Sequence, residues 1–194
     1  MATHLEPFEW GTALTNSRFP LSYDVNFLRI ERPDDRLTAD RLIDVADGLL
    51  GDAGMHHRFV RLDDEAAGST LAAQVAEKGW TAYPVVVMAL RRDPDRPAEP
   101  GVARQASWPE VASAKERWVR DDPSDTPDER VRQILGRVRS LADATHLRHF
   151  AAFDGDGAVA FCDLYSDGRT AQIEDVWTRE DHRGRGMARA VVLA

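Results

Sequence analysis

The chain has 194 residues, and 43% of them are hydrophobic, which is enough for the core of one domain or of one and a half. The formal net charge of −8 argues against a general nucleic-acid-binding protein, and the single cysteine, Cys162, excludes a disulfide framework within the chain. The longest apolar run, at residues 85–90, is too short to cross a membrane, and no signal peptide is visible. We therefore expect a cytoplasmic protein with no membrane or nucleic-acid partner.

Residues 1–92 are predicted to alternate strands with helices after an irregular start. Residues 1–20 carry scattered aromatic side chains with little periodicity, so we interpret them as an irregular lead-in. Thr38 is a candidate N-cap of the first helix, and Gly51 and Gly79 are the expected ends of the two helices. The predicted strands span residues 23–30, 58–62 and 83–91, and the predicted helices span residues 39–50 and 64–78.

A linker is predicted in the middle of the chain. Residues 93–101, with the sequence DPDRPAEPG, combine three prolines with charges of both signs and have no periodic apolar pattern. Such a composition is typical of a connection between domains. The expected organisation is therefore a first α/β unit at residues 1–92, a linker at residues 93–101 and a second unit at residues 102–194.

The second unit is predicted to contain a strand, two helices and three antiparallel strands. Ser107 and Glu110 have the spacing of a capping box at the start of the first helix, and Thr126 and Glu129 have it at the start of the second. An Asp-Gly pair favours a hairpin turn at residues 154–157. The helices are expected to end near residues 120 and 145, and the strands to span residues 102–105, 149–153, 158–165 and 170–178.

A basic, glycine-rich turn follows the last of these strands, at residues 182–186, and Met187 starts a further helix. Glycines let backbone N–H groups approach a ligand closely, and a helix N-terminus adds partial positive charge. Arg183 and Arg185 add formal charge, so a diphosphate group fits this position. The alternative is a basic surface turn that binds nothing.

The spacing of Arg183, Gly186 and Ala188 resembles the acetyl-CoA signature of the GCN5-related N-acetyltransferases, the GNAT superfamily. That signature lies at the start of a helix. It consists of Gln or Arg, any two residues, Gly, any one residue, and then Gly or Ala. The sequence Val-Trp-Thr at residues 176–178 also resembles the family's strand ending, whereas Glu180 stands where the family often has proline. The order of elements matches a GNAT domain from its start to its third helix.

The resemblance implies an α/β fold of the α+β type, with a mixed, mostly antiparallel central sheet flanked by helices. It covers about residues 102–194. Residues 1–92 have the element order of the second half of a GNAT domain, so we expect a degenerate GNAT-like half domain there; the alternative is an unrelated α/β element. A GNAT domain continues beyond its third helix, so we favour a piece of a longer tandem protein over a fold that the first unit completes.

By this resemblance the chain is an N-acetyltransferase that moves an acetyl group from acetyl-CoA directly to a primary amine. Acetyl-CoA is the expected cosubstrate, and no metal is expected. The backbone of Val176, Trp177 and Thr178 would pair with the pantetheine arm, and the N–H of Val176 would polarise the thioester carbonyl. The diphosphate would be held by the backbone of Arg183, Gly184, Arg185, Gly186, Met187 and Ala188.

Two carboxylates are candidates for the catalytic base. Glu174 and Asp175 lie just before the acetyl-CoA contact, where the family often places a base or a water-orienting group. Strand alternation puts them on opposite faces, so at most one faces the acceptor cleft, and we favour Glu174. The alternative for each is a solvated or salt-bridged strand carboxylate. Cys162 is expected in the core, and Tyr165 does not match the place of the family's acid.

The expected acceptor is a small molecule or an exposed amine, and the acidic residues 121–125 favour a cationic one. His146 and His149 have no partner set that suggests a metal site. Two other functions stay open. The chain could be a CoA-binding or regulatory module without catalysis, with its first unit as a homodimer surface, or it could bind a different phosphate at the glycine turn.

Overall fold

The computed structural model describes residues 4–121, 126–142, 145–155 and 157–194. The chain divides into two compact units, Met1–Ala89 and Leu90–Ala194. Each unit contains a four-stranded sheet that is wholly or mostly antiparallel, together with helices, which agrees with the predicted fold class. Within the described part of the chain, no helix is long and apolar enough to cross a membrane.

The first unit contains the strands β1 (His4–Phe8), β2 (Gly11–Thr15), β3 (Phe27–Ile30) and β4 (Val60–Leu62), and the helices α1 (Ala39–Asp52) and α2 (Glu65–Glu77). The sheet has the order β1-β2-β3-β4; the first three strands are antiparallel, and α1 connects the parallel pair β3 and β4. Thr38 caps α1 as predicted, because its side chain accepts the N–H of Arg41. Asp64 caps α2 in the same way.

The prediction of an irregular lead-in at residues 1–20 is wrong, because β1 and β2 form a hairpin there. Alternate side chains of β2 are buried, which is the period of a strand. A Cβ at Gly11 would lie 1.9 Å from the carbonyl oxygen of Arg29, so the approach of β3 requires glycine. Trp10, between the two strands, is fully buried, and its Nε1–H donates to Asp34 at 3.1 Å.

The predicted strand at residues 83–91 is also wrong, since the structure forms no strand there. The large apolar side chains between Tyr83 and Leu90 are 67% to 87% exposed. Their strongly apolar, β-branched composition favours a strand, but a strand exists only where a neighbour accepts and donates its backbone hydrogen bonds. We call residues 83–90 the exposed apolar segment.

The second unit contains the strands β5 (Ala103–Ala106), β6 (Arg148–Asp154), β7 (Gly157–Ser166) and β8 (Ala171–Thr178), and the helices α3 (Trp108–Arg120), α4 (Asp128–Ala142) and α5 (Met187–Leu193). The sheet is antiparallel in the order β5-β6-β7-β8. The capping box at the start of α3 is present, with Glu110 accepting the N–H of Ser107 at 2.7 Å. Of the predicted acidic loop, residues 122–125 lie outside the described residues.

The central strand β7 is buried on both faces. Phe161 packs with Val111 and Ala114 of α3 and with Trp177 of β8, whereas Cys162 packs with Val191 of α5. Because α3 and α5 cover opposite faces of the sheet, the end of β8 and the turn into α5 are held at a fixed place beside β7.

Candidate functional site

The glycine turn predicted from the sequence lies directly after β8. A short 3-10 helix, Glu180–His182, follows the strand, and α5 begins at Met187. Gly184 and Gly186 have φ angles of 76° and 78°, in the left-handed region that glycine adopts at no steric cost. These two glycines lie in the turn between the 3-10 helix and α5, and α5 packs against β8.

A surface concavity of about 280 Å³ lies at this turn. The first N–H groups of any helix have no partner within the helix. In α5 the N–H of Ala190 donates to Gly186 O, and this hydrogen bond closes the first turn of the helix. The concavity is lined by Thr178, His182, Arg183, Gly184, Gly186, Met187 and Ala188. Of the predicted acetyl-CoA contacts, Val176, Trp177 and Arg185 are not among these lining residues.

The turn is tied to the rest of the second unit by a group of charged side chains. The ring of the buried His182 lies between two carboxylates, 3.0 Å from Asp154 and 2.8 Å from Asp181. Arg179 donates to Asp181 at 2.6 Å, and its backbone N–H donates to Val159 O of β7 at 2.8 Å. Arg179 and His182 hold the pKa of the Asp181 carboxyl well below its usual range. These contacts fix the start of the glycine turn against the hairpin of β6 and β7.

A β-bulge interrupts β8 just before its end. Phe161 of β7 pairs with Trp177, but Asp163 pairs with Glu174, so that residues 175 and 176 together stand opposite Cys162. Asp175 has a φ of 55°, which is uncommon for a residue other than glycine. The bulge breaks the strict alternation that the sequence predicted between the two candidate carboxylates.

The two candidate carboxylates lie in different surroundings. Glu174 is exposed and accepts a hydrogen bond from Gln172. Asp175 is half-buried, and burial raises the pKa of its carboxyl to about 6, with a further rise from Asp163 and an opposing effect from the charges of Lys115 and Arg137. A carboxyl group that titrates near neutrality can accept a proton and release it again at physiological pH.

A buried charge network lies beside the bulge, and the sequence did not predict it. Lys115 of α3 and Asp163 of β7 are fully buried, and Lys115 Nζ donates to Asp163 Oδ2 at 2.7 Å. His149 of β6 donates from Nδ1 to the other carboxylate oxygen at 2.8 Å. Burial alone would raise the pKa of the Asp163 carboxyl, but His149 and Lys115 bring it below its usual value. Two features of the sequence point to this network: one lysine on the apolar face of α3, and one aspartate inside an apolar strand.

The side chains of two other candidates, Cys162 and Trp177, have structural roles. Burial raises the pKa of the Cys162 thiol to about 11, and its Sγ–H donates to Val191 O, so this thiol is not a nucleophile at neutral pH. Trp177 packs on Phe161 and donates its Nε1–H to Asp121 at 2.9 Å. Among the described residues, no group of three or more His, Cys, Asp or Glu side chains has an arrangement that could hold a metal ion.

Residues 110–194 match the model of the acetyltransferase (GNAT) family. The match supports membership of the GNAT superfamily for this part of the chain. The match begins within α3 and covers α4, the strands β6 to β8 with the bulge, the glycine turn and α5. It indicates an acetyl-CoA-dependent acyltransferase in general terms. The prediction that residues 1–92 are a degenerate second GNAT half stays a prediction.

A solved structure supports the fold. It is the crystal structure of a functionally unknown conserved protein from Staphylococcus epidermidis ATCC 12228, similar over 96% of this chain and 75% of its own, with a TM-score of 0.62 and 12% identity. At this identity the similarity shows the fold alone. No curated protein matches the chain.

Proposed function

We propose that the GNAT domain transfers an acetyl group from acetyl-CoA to a primary amine. The observation that supports this most directly is the order of features along β8 and the turn that follows it. A bulge with a half-buried carboxyl group is followed within ten residues by a glycine turn that lines a concavity. A cosubstrate bound at the turn would extend along β8 towards the bulge, where the amine is acetylated.

The residues of the turn fit the diphosphate of acetyl-CoA. Two glycines with positive φ bring the backbone close to the concavity, and the N-terminal N–H groups of α5 are donors at the same place. Arg183 and Arg185 supply the positive charge. Pantetheine would lie along residues 176–178 of β8, the last strand in the order of the sheet, in which Trp177 and Thr178 pair with β7 on one side.

Acetyl-CoA supplies the acetyl group as an activated thioester. We propose Asp175 as the group that accepts the proton of the acceptor amine, so that the free amine can form the new N–C bond as the thioester C–S bond breaks. Its half-buried position and its raised pKa suit this role better than the exposed position of Glu174 does. The N–H of Val176, within the bulge, would stabilise the negative charge on the thioester oxygen.

Two measurements test the proposal. Calorimetry with acetyl-CoA, and competition by ATP and NAD, measures whether the turn prefers CoA to other phosphates. Release of the CoA thiol in the presence of spermidine, tyramine or a lysine ester then measures transfer. Binding without turnover would favour the non-catalytic module, and displacement by ATP or NAD would favour a different phosphate ligand.

The arginine of the signature offers a matched pair of variants. Arg183→Glu should weaken acetyl-CoA binding at least tenfold, because it places a negative charge against the diphosphate. Arg169→Glu makes the same change in the exposed turn between β7 and β8, at the other end of the strand, and should leave binding unchanged. Equal affinity of the Arg183 variant and the native chain would reject the proposed diphosphate site.

A further inference from the structure

Lysine is rare in this chain, and one lysine is buried. Of the 25 basic residues only Lys78 and Lys115 are lysines, and the other 23 are arginines. Lys78 is partly exposed and pairs with Asp40, whereas the side chain of Lys115 is fully buried. A lysine at position 115 is therefore unusual in two ways: almost all other basic residues of the chain are arginines, and lysine side chains are usually exposed.

The surroundings of Lys115 hold its ammonium group in one place. Its Nζ donates to Asp163 at 2.7 Å and lies 4.3 Å from the centre of the Phe161 ring. Asp163 is itself held by His149 at 2.8 Å, and the hydroxyl of Tyr165 lies 3.4 Å from the oxygen that Lys115 contacts. Three strands or helices, α3, β6 and β7, thus contribute to one fixed network.

Stability alone gives no reason for this network. The desolvation of a buried ion pair is often as large as its attraction, and apolar residues of similar volume commonly replace such pairs without loss of stability. The face of α3 that carries Lys115 is otherwise apolar, with Val111 and Ala114 in the same core. A charged pair at this position therefore calls for a role outside the packing of the core.

The network lies next to the bulge of β8. Asp163 is the register partner of Glu174, the residue before Asp175. The charged and titratable groups that act on the Asp175 carboxyl come from four elements: Lys115 of α3, Arg137 of α4, Asp163 and Tyr165 of β7, and Glu174 of β8. His149 of β6 is hydrogen-bonded to Asp163, a member of this group. Burial raises the pKa of the Asp175 carboxyl, and among these groups Lys115 is the main one that lowers it.

We propose that Lys115 is a positioning residue for deprotonation of the acceptor amine: its ammonium group, held by Asp163, keeps the carboxyl of Asp175 charged and ready to accept a proton. The proposal rests on the proposed acetyl transfer, in which Asp175 is the base. Lys115 has no contact with the reacting atoms in this account and acts only through Asp175.

The first test is a ¹³C NMR titration of the aspartate side-chain carboxyls in the whole chain, with Asp175 assigned from the Asp175→Asn variant. In Lys115→Met the titration midpoint of Asp175 should rise by about one pH unit, because an opposite charge nearby favours the ionised form by this order. Lys78→Met removes the chain's other lysine and should leave the midpoint unchanged. An unchanged or lower midpoint in Lys115→Met would overturn the proposal.

A double variant provides a test that does not leave a buried charge without a partner. Lys115→Met combined with Asp163→Asn removes both charges, so it should fold where the single variant does not. The proposal requires the charge of Lys115 to outweigh the charge of Asp163 at Asp175, so the midpoint should still rise, but by less than in the single variant. A midpoint equal to or below that of the native chain would overturn the proposal, because the pair as a whole would then not favour the charged form of Asp175.

Activity measurements separate this proposal from the proposed function. If Lys115 positions the base, the acidic limb of the kcat/KM profile should move to higher pH in Lys115→Met, while the KM for acetyl-CoA stays unchanged. A limb that stays in place while the native chain turns over would contradict the role of Lys115. Absence of turnover in the native chain would instead overturn the proposed function, and the NMR titration would still decide whether Lys115 acts on Asp175.

Discussion

The ring of His182, in the turn after β8, lies 3.0 Å from the carboxylate of Asp154 at the end of β6. This contact joins two parts of the chain that are 28 residues apart, and it does so at the first residues of the glycine turn. The His182 ring is buried, so its removal leaves an empty space beneath the turn as well as a missing contact.

His182→Ala should therefore loosen the glycine turn. Loss of a buried polar contact of this kind costs about 1–3 kcal/mol in the free energy of unfolding. The Kd for acetyl-CoA should also rise several-fold, because the backbone donors of the turn are no longer held in place. Urea unfolding and calorimetry measure the two effects. Asp154→Ala, which removes one exposed partner and keeps the ring, should have a smaller effect on both; the reverse order would contradict this account.

Substitution of the two carboxylates should separate their roles. Asp175→Asn should lower kcat/KM for acetyl transfer by about 100-fold or more, the usual effect of losing a general base. Glu174→Gln should have little effect, because this side chain is exposed and contacts Gln172. Steady-state release of the CoA thiol measures both. A larger loss in the Glu174 variant would make Glu174 the base, as the sequence alone favoured.

The raised pKa of Asp175 also predicts a dependence of stability on pH. Burial raises the pKa of this carboxyl from 3.8 to about 6, so the folded state binds its proton more tightly than the unfolded state does. The group therefore destabilises the fold progressively as the pH rises from about 4 to about 6, and above that range the penalty is constant.

Asp175→Asn should remove this penalty and stabilise the chain by about 1–3 kcal/mol at pH 7.5, given about 1.4 kcal/mol per pKa unit. At pH 4 the variant and the native chain should be nearly equal in stability. Chemical unfolding at the two pH values measures the difference. A variant that is no more stable than the native chain at pH 7.5 would show that Asp175 ionises without cost in the folded state.

The exposed apolar segment, residues 83–90, predicts association at high concentration. Long apolar β-branched stretches without a paired neighbour favour intermolecular strand pairing. Val86→Lys, at a side chain that is 76% exposed, should raise the soluble concentration and reduce light scattering without changing the unfolding midpoint. Leu5→Lys, at an exposed apolar residue outside the segment, should have a smaller effect. Equal solubility of the Val86 variant and the native chain would contradict this prediction.

Much of the second unit could be predicted because its signals are local. The capping box of Ser107 and Glu110 marks the start of α3, and the Asp-Gly pair marks the turn between β6 and β7. Gly184 and Gly186 mark the turn after β8, where their positive φ angles meet a requirement of the backbone itself. Each of these signals depends on residues within a few positions of one another, so the order of amino acids is sufficient to predict them.

The failures have a common cause in pairing between distant residues. The hairpin of β1 and β2 is not predicted from the sequence, because β1 becomes a strand only through its register with β2, and the closeness of Gly11 to Arg29 depends on β3. The segment at residues 83–90 has the composition of a strand but has no paired neighbour among the described residues. A segment with high strand propensity forms a strand only when a neighbouring strand pairs with it.

The sequence by itself determined the α/β order of residues 102–194, the glycine turn and the two carboxylates of β8, because these depend on local composition and spacing. The tertiary structure decided which carboxylate is shielded from water. A bulge at Asp175 arises from the register of β7 against β8, and the network of Lys115 and Asp163 joins residues 48 positions apart. Burial and charge at the site are properties of that packing, because they depend on which distant groups approach each other in the folded chain.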